Sequence, residues 1–171
     1  MQGNLHRAVR LPSGGLFVSM DWSKLIGDKA MEVAELYETA HGRVTNRVHQ
    51  QGVGYDLRSS GNEERYIEVK GVSESWKTYT WQPLHHTEVE TLKRQSAHYF
   101  LYIVRFEISK ENRDQEHLNS APYQLFVLPG EKLLNNFKIV PQSFALTPIS
   151  KRRLLPFSVE KPVVDLMGEN L

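Results

Sequence analysis

The segment GYDLRSSGNEERYIEVKG carries an isolated Asp and then an acid and a base two positions apart, within what read as two strands with apolar flanks. Asp56 lies near the start of this segment, and Glu68 and Lys70 lie two positions apart near its end. Because side chains two apart lie on one face of a strand, Glu68 and Lys70 point together, away from Ile67 and Val69. Asp56, on the neighbouring strand, can project towards the same side. The sequence therefore predicts two carboxylates and an ammonium group at the end of a hairpin.

Such a group has the chemistry of a metal-dependent hydrolase. Carboxylate oxygens are the ligands that a hard cation such as Mg²⁺ prefers, usually one or two of them with waters completing the octahedron. A neighbouring lysine can orient or help deprotonate an attacking water and offset charge on a transferring phosphoryl group. The alternative is a surface strand with an ion pair between Glu68 and Lys70, which contributes little energy. The upstream Asp, the turn at 60–63 and a preceding helix favour the site.

The bulk composition limits the class of protein. With 171 residues, of which 40% are hydrophobic and 24% charged, the chain has the length and composition of one soluble globular domain. The absence of cysteine excludes disulfides, thiolate zinc sites and cysteine nucleophiles. No run approaches the roughly 20 apolar residues of a membrane span, and the start lacks the apolar core of a signal peptide. We therefore expect a cytoplasmic protein, or a nuclear one if eukaryotic, with no membrane partner.

Periodicity and turn residues predict the elements that must hold these side chains. In order, we expect a helix, three strands, a second helix and a central strand, at 28–41, 43–50, 54–59, 64–71, 87–97 and 99–106. Asp28 is the expected cap of the first helix and Gly42 its stop. Thr87 opens the second helix with capping-box spacing. The second and third strands form an antiparallel hairpin.

The predicted fold class is therefore α/β, with a mixed central sheet flanked by helices. One domain is expected over 1–171, with its core at about 28–106 and C-terminal additions over 107–171. A charged loop over 109–121 and a strand over 123–128 begin these additions, and short elements that wrap the core complete them.

The Asp followed by Glu-x-Lys, within this order of elements, resembles the signature of the PD-(D/E)XK nuclease superfamily, which has the restriction-endonuclease-like fold. More narrowly, the chain resembles the domain family first noted at the C-terminus of the plant NO VEIN protein, in the segments Gly54-Tyr55-Asp56, Ile67-Glu68-Val69-Lys70, Thr87-Glu88 and Tyr99-Phe100-Leu101-Tyr102. Members of that family also occur beside helicase and restriction-defence modules. The resemblance covers about 28–106. It departs from the superfamily's name at Tyr55, which stands where a Pro would precede Asp56.

The resemblance implies a catalytic set of Asp56, Glu68 and Lys70, in which the two acids bind Mg²⁺ or Mn²⁺ and Lys70 positions the water. Many superfamily members add an acid from the first helix. Glu32 stands about there and is a further candidate metal ligand, with a solvated helix-face charge as the alternative. The implied activity is an Mg-dependent endonuclease that hydrolyses phosphodiester bonds, with DNA as the favoured substrate, in restriction, defence or repair. The alternative is a non-catalytic module that binds nucleic acid or a partner protein with the same fold.

Two other segments could contact nucleic acid. The stretch WKTYTW at 76–81 interleaves aromatic rings with a basic residue and could stack on unpaired bases, or it could pack on the core or on a second subunit. The basic cluster at 151–153 suits phosphate, although such clusters also occur on ordinary surfaces. A homodimer would suit cleavage of both strands. The candidate contacts are Trp76, Lys77, Tyr79, Lys151, Arg152 and Arg153.

Two remaining patterns carry less weight. His85 and His86 adjoin Glu88, but adjacent histidines point in different directions and no third ligand stands at a known spacing. We expect a loop or capping role for them. Gln95 and Tyr99 match a Gln-x-x-x-Tyr pattern of some nucleases in the superfamily, but Tyr99 is expected to begin a strand, so we give the pattern no role.

Overall fold

The structure is a computed structural model and describes residues 9–10, 16–17, 21–48, 51–73, 82–140, 145–146 and 156. The α-helices are α1 (Trp22–Ala40), α2 (His86–Arg94), α3 (Gln115–Ser120) and α4 (Gly130–Asn136), and a 3₁₀ helix spans Lys110–Asn112. The strands are β1 (Val9–Arg10), β2 (Leu16–Phe17), β3 (Val44–Arg47), β4 (Leu57–Ser60), β5 (Arg65–Val72), β6 (Gln82–Pro83), β7 (Tyr99–Phe106), β8 (Tyr123–Pro129), β9 (Ile139–Val140) and β10 (Ala145–Leu146). Within these ranges no helix combines the length and apolar character needed to cross a membrane.

A five-stranded mixed sheet in the order β3-β4-β5-β7-β8 forms the centre of the protein. Its neighbours are antiparallel except for β5 and β7, which are parallel. α1 and α3 pack on one face of the sheet, and α2 and α4 pack on the other. The predicted α/β class, with a mixed central sheet flanked by helices, is confirmed. β1 pairs with β2, and β6, β10 and β9 form a separate small sheet.

β7 divides the interior into two apolar cores. Alternate side chains point to the α1 face, namely Phe100, Tyr102, Val104 and Phe106. The other apolar side chains point to the α2 face, namely Tyr99, Leu101 and Ile103. Because both faces of this strand are buried, its sequence is a continuous apolar run rather than an alternating one. The predicted central strand is confirmed at its bounds of Tyr99–Phe106.

α1 begins earlier than the sequence predicts. Its first residue is Trp22, because the Asp21 side chain accepts a hydrogen bond from the Ser23 N–H at 3.0 Å and so caps the first turn. Asp28, the predicted cap, lies inside the helix instead. The predicted stop is confirmed, since Gly42 follows the helix with a φ of 72°, a conformation that favours glycine.

The charged segment 109–121 is not the simple loop that we predicted. It contains the 3₁₀ helix and α3, whose first turn is capped by the Asp114 side chain through the His117 N–H at 2.9 Å. The apolar contribution of α3 to the α1 face is Leu118, which is fully buried. A six-residue helix with one buried position is too short to show helical periodicity in the sequence.

Candidate functional site

A cleft of about 430 Å³ lies between the end of the β4–β5 hairpin and the start of α2. Four charged side chains line it, namely Asp56, Glu68, Lys70 and Glu88. Its other lining residues are Gly52, Gly54, Tyr55, Val69, His85 and Thr87. The structure therefore brings together the three charged residues that the sequence singles out, and it adds a third carboxylate.

Asp56 is fixed just before β4 begins. Its N–H donates to the Ile67 carbonyl at 2.9 Å, beside the last pair of the β4–β5 ladder, Leu57 and Ile67. The Asp56 carboxylate also accepts the Val69 N–H at 2.9 Å, beyond the last residue pair of the two strands. Hydrogen bonds to Ile67 and Val69, the residues on either side of Glu68, thus hold Asp56 against this part of β5.

Glu68 and Lys70 project from β5 towards α2, as the alternation of the strand predicts. Ile67 and Val69 pack into the core on the α1 face. Lys70 Nζ donates to Glu68 Oε1 at 2.5 Å. Glu68 is only 2% exposed, so the alternative of a surface ion pair does not describe this strand. A buried carboxylate in a cleft needs a partner or a function.

α2 supplies the third carboxylate, Glu88. The helix begins at an N-cap of His85 rather than at Thr87, and the Glu88 carboxylate accepts the His85 N–H at 2.9 Å. The N-cap is His85 because Leu84 before it and Val89 after it pack in the same core, as in a hydrophobic staple. His85 therefore has the capping role that the sequence predicts for this histidine pair. Glu88 both caps the helix and faces the cleft.

Glu88 also contacts the lysine of the cleft. Its two carboxylate oxygens lie 3.3 and 3.4 Å from Lys70 Nζ. The ammonium group is therefore shared between a carboxylate of β5 and one of α2. The sequence hints at this residue through its capping spacing, but only the packing of α2 on β5 shows that the same side chain reaches Lys70.

Gly54 allows the loop before Asp56 to lie against α2. Its φ is 83°, and a Cβ at this position would stand 2.4 Å from the Thr87 carbonyl oxygen and 2.5 Å from Thr91 Oγ1. The Thr91 hydroxyl donates to the Val53 carbonyl at 3.1 Å and fastens the same contact. Only glycine fits this close approach without strain.

The cleft holds more negative than positive charge. Among the described lining residues, three carboxylates face one fixed positive charge, Lys70. Burial raises the pKa of Glu68 well above its usual range; Lys70 opposes this effect, and Asp56 and Glu88 add to it. Burial by itself lowers the pKa of Lys70, but the carboxylates of Glu68 and Glu88 outweigh burial and raise it. With all four groups ionised, two negative charges remain unbalanced. One divalent cation would neutralise them.

The carboxylate oxygens of the cleft suit Mg²⁺ or Mn²⁺, which keep bound waters, better than a metal whose ligands all come from the protein. In the described part of the chain, no three His, Asp or Glu side chains are grouped so that they could hold a metal ion by themselves. Mg²⁺ usually keeps several waters and takes one or two carboxylates from the protein. Asp56 and Glu68, which both line the cleft, can supply those two.

Glu32 lies apart from the cleft. It belongs to α1, which packs on the face of the sheet opposite to Glu68. Its side chain is 52% exposed and accepts a hydrogen bond from Lys29 Nζ at 2.9 Å. The structure does not bring Glu32 to the other candidate ligands, and Glu88 is the third acid there instead.

The predicted nucleic-acid contacts lie outside the described residues. This applies to Trp76, Lys77, Tyr79, Lys151, Arg152 and Arg153. Their contact with nucleic acid therefore stays a prediction from the sequence.

The chain matches a known protein family over part of its length. The family model described as Protein NO VEIN, C-terminal, matches residues 26–118, which is more than half of the chain. The matched region contains all of the residues that line the cleft. It is longer at both ends than 28–106, the range over which the sequence itself shows the resemblance. No curated protein and no solved structure matches the chain.

Proposed function

The chain belongs to the NO VEIN C-terminal family, and from that premise we propose that it is a metal-dependent endonuclease of the PD-(D/E)XK type, acting on DNA in restriction, defence or repair. The observation that carries the proposal is the cleft in which Asp56, Glu68 and Glu88 face the single ammonium of Lys70. The order of helix, three strands, helix and strand supports it, because this is the core order that the superfamily resemblance implies.

Asp56 and Glu68 hold the divalent cation in this proposal. When bound, Mg²⁺ or Mn²⁺ activates water and offsets charge on the phosphoryl group. The protein's part is to fix the two carboxylates: the Val69 N–H orients Asp56, and burial together with Lys70 confines Glu68. Glu88, rather than Glu32, supplies the third negative charge of the site.

Lys70 positions the attacking water and the phosphoryl oxygen. Its ammonium donates hydrogen bonds, and the carboxylates of Glu68 and Glu88 hold it within 3.4 Å on two sides. A donor fixed in this way costs no reorganisation when negative charge develops in the transition state. Removal of this side chain should therefore lower the rate of cleavage more than it lowers DNA binding.

The negative cleft constrains how DNA binds. Phosphate groups are repelled by three carboxylates unless a cation is present, and basic groups elsewhere must supply the remaining attraction. The segment at 76–81, which follows β5 in the sequence, and the basic cluster at 151–153 are the proposed sources. We therefore expect DNA to reach the cleft only in the presence of the divalent cation.

The test is nicking and linearisation of supercoiled plasmid, unmodified and methylated, with Mg²⁺ or Mn²⁺. Cleavage should need the cation and should fall by roughly a hundredfold or more in Glu68→Gln and Lys70→Ala. Glu88→Gln should also lose activity, whereas Glu90→Gln should not. Glu90 is the matched control, since it lies two residues further along α2, with a side chain 52% exposed and paired with Lys93.

Two outcomes contradict the proposal. Intact DNA and RNA under every metal condition would show that the protein is not a nuclease. Intact DNA together with DNA binding that Glu68→Gln and Lys70→Ala both retain would support the alternative, a binding module with the same fold.

A further inference from the structure

The half of the sheet that carries the cleft is open to solvent on its α2 side. α2 and α4 pack mainly on β7 and β8, at the other half of the sheet. Leu57 and Ser59 of β4 point to α1, so their neighbours on β4, and the residues of β3 paired with those neighbours, point to the α2 side. These side chains are all exposed, namely Val44, Asn46, Arg58 and Ser60.

Three aromatic rings form a row from the cleft along this open face. Tyr55 lines the cleft next to Asp56, and its ring centroid lies 4.8 Å from that of Tyr66 on β5. Tyr66 pairs with Arg58 in the ladder, which places it on the open face. The ring of His98 follows, with its centroid 6.3 Å from that of Tyr66. Both tyrosines are half-buried and His98 is exposed, so the row is in contact with solvent.

Hydrogen bonds fix this row without adding net charge. The Tyr66 hydroxyl donates to the Glu64 carboxylate at 3.0 Å, and His98 Nδ1 lies 3.1 Å from the Glu64 carbonyl. The same carboxylate pairs with Arg58, so the positive charge nearest the rings is already matched. Phosphate groups bind to free cations, whereas the flat faces of nucleobases stack on aromatic rings. The row therefore suits a base better than it suits the phosphate backbone.

We propose that Tyr55, Tyr66 and His98 form a stacking site for an unpaired nucleotide next to the phosphodiester in the cleft. This inference rests on the proposed function and names its substrate class, DNA with a single-stranded segment at the point of cleavage. The bases of an intact duplex are stacked on one another and cannot reach a protein ring. Since Tyr55 and Asp56 both line the cleft, a nucleotide stacked on Tyr55 has its phosphate within reach of the metal ligands.

Tyr37 provides a matched control on the opposite face of the sheet. It is half-buried like Tyr66, and its ring lies beside a histidine, His41, with 4.2 Å between the centroids. It packs against the core on the α1 face, away from the cleft. Tyr66→Leu and Tyr37→Leu therefore each remove one half-buried ring. Tyr66→Phe keeps the ring and removes only the hydroxyl, which separates stacking from the hydrogen bond to Glu64.

The experiment measures the Kd for a single-stranded oligonucleotide and for a duplex by fluorescence anisotropy with Mn²⁺, in a Lys70→Ala background so that no DNA is cut. Tyr55→Leu and Tyr66→Leu should each weaken single-strand binding on the order of tenfold. At saturating protein they should also restore the emission of a 2-aminopurine base in the strand, which stacking on a ring quenches. Tyr66→Phe and Tyr37→Leu should keep the single-strand Kd within about twofold. The duplex Kd should stay within about twofold in every variant, which also shows that the variants are folded.

The failure of this inference is distinguishable from the failure of the proposed function. If the natural protein cuts DNA but Tyr55→Leu and Tyr66→Leu keep their single-strand affinity, the stacking site is overturned and the nuclease stands. Equal losses for single strand and duplex would also overturn the site, because the rings would then support the fold or DNA binding in general. So would a loss in Tyr66→Phe as large as that in Tyr66→Leu. If the natural protein neither binds nor cuts any DNA, the proposed function and the stacking site are both overturned.

Discussion

Glu38 and Glu68 are two buried glutamates on opposite faces of the same sheet, and their surroundings differ in charge. Glu38, on α1, is 0% exposed and Glu68, on β5, is 2% exposed. Two arginines face Glu38, whereas the cleft around Glu68 has two further carboxylates and one lysine. The cost of burying a carboxylate is thus offset by positive charge around Glu38 and only partly offset around Glu68.

The region of Glu38 is a closed hydrogen-bonded network, called here the Glu38 cluster. Its donors to the Glu38 carboxylate are Arg43 at 2.6 and 2.9 Å, Ser59 at 2.6 Å, Tyr102 at 2.5 Å and Arg65 at 3.5 Å. These residues come from the end of α1, the segment that follows it, and β4, β5 and β7. The cluster therefore joins α1 to three strands of the sheet.

The pKa directions of the two glutamates follow from these partners. Burial by itself raises the pKa of Glu38, but the hydrogen bonds from Arg43, Ser59 and Tyr102 outweigh burial and lower it. Burial raises the pKa of Glu68 as well, and there Lys70 does not compensate for burial and the neighbouring acids. A satisfied charge contributes to folding, whereas an unsatisfied one is retained at a cost and is expected where a ligand binds.

The largest expected effect is on the compensated side. Glu38→Gln removes the charge that Arg43 and Arg65 share; Arg65 keeps its pair with Glu63, whereas Arg43 loses the carboxylate it pairs with. Because breaking a buried ion pair from one side is strongly destabilising, the free energy of unfolding should fall by about 3 kcal/mol. Urea unfolding at pH 7 measures this, and a loss below about 1 kcal/mol would contradict the contrast between the two glutamates.

The stability that Glu38 contributes depends on pH. Since the pKa of Glu38 is lower in the folded protein than in the unfolded chain, its contribution is fully present above its ordinary pKa of 4.5 and is lost as the pH falls through the lowered value. The difference in stability between the natural protein and Glu38→Gln should therefore shrink in acid. A difference that stays constant from pH 7 to well below pH 4.5 would count against the charge-based account.

Backbone fit, rather than charge, should hold the cleft together. Gly54→Ala places a Cβ 2.4 Å from the Thr87 carbonyl oxygen at a φ of 83°, so it should lower the free energy of unfolding by about 2 kcal/mol. Gly52→Ala is the matched control, because its φ is 65° but a Cβ there meets nothing within 4 Å. The control should cost about 1 kcal/mol from backbone strain alone. Equal losses in the two variants would show that the close approach to α2 is not what holds the loop.

The smallest expected effect has the opposite sign. Glu68→Gln removes a buried charge that its neighbours disfavour, so the metal-free protein should gain stability at pH 7, on the order of 1 kcal/mol. The comparison is sharpest beside Glu38→Gln, since the same substitution then destabilises one face and stabilises the other. A loss of stability in Glu68→Gln as large as that in Glu38→Gln would show that Glu68 serves mainly to hold the fold.

The elements whose residues form a distinctive pattern along the chain could be predicted from the sequence. The sequence predicts β7 at its observed bounds, because a strand that is buried on both faces is an unbroken apolar run. The β4–β5 hairpin was predicted because turn residues separate two segments of alternating character, and its alternation placed Glu68 and Lys70 on one face. The sequence does not predict the start of α1, because Asp28 resembles a cap, whereas the actual cap is Asp21.

The partners of the two buried glutamates depend on contacts across the sheet, which the sequence does not display. The sequence marks Glu88 only as part of a capping pattern, because its second contact, with Lys70, arises when α2 packs on β5. The sequence around Glu38 does contain a pattern that indicates burial of this residue. It continues a series at spacing four in which every member is buried, namely Ile26, Ala30, Ala34 and Glu38. An acid in such a series predicts a buried ion pair, although not which arginines complete it.

The most direct test of the central claim, that the cleft of Glu68 binds a divalent cation, is the free energy of unfolding with and without Mg²⁺ or Mn²⁺. At a cation concentration of 100 times the Kd, the natural protein and the Glu90→Gln control should each gain about 2.7 kcal/mol. Glu68→Gln, although more stable without metal, should gain almost nothing. Equal gains in all three proteins, or no gain in the natural one, would contradict the claim.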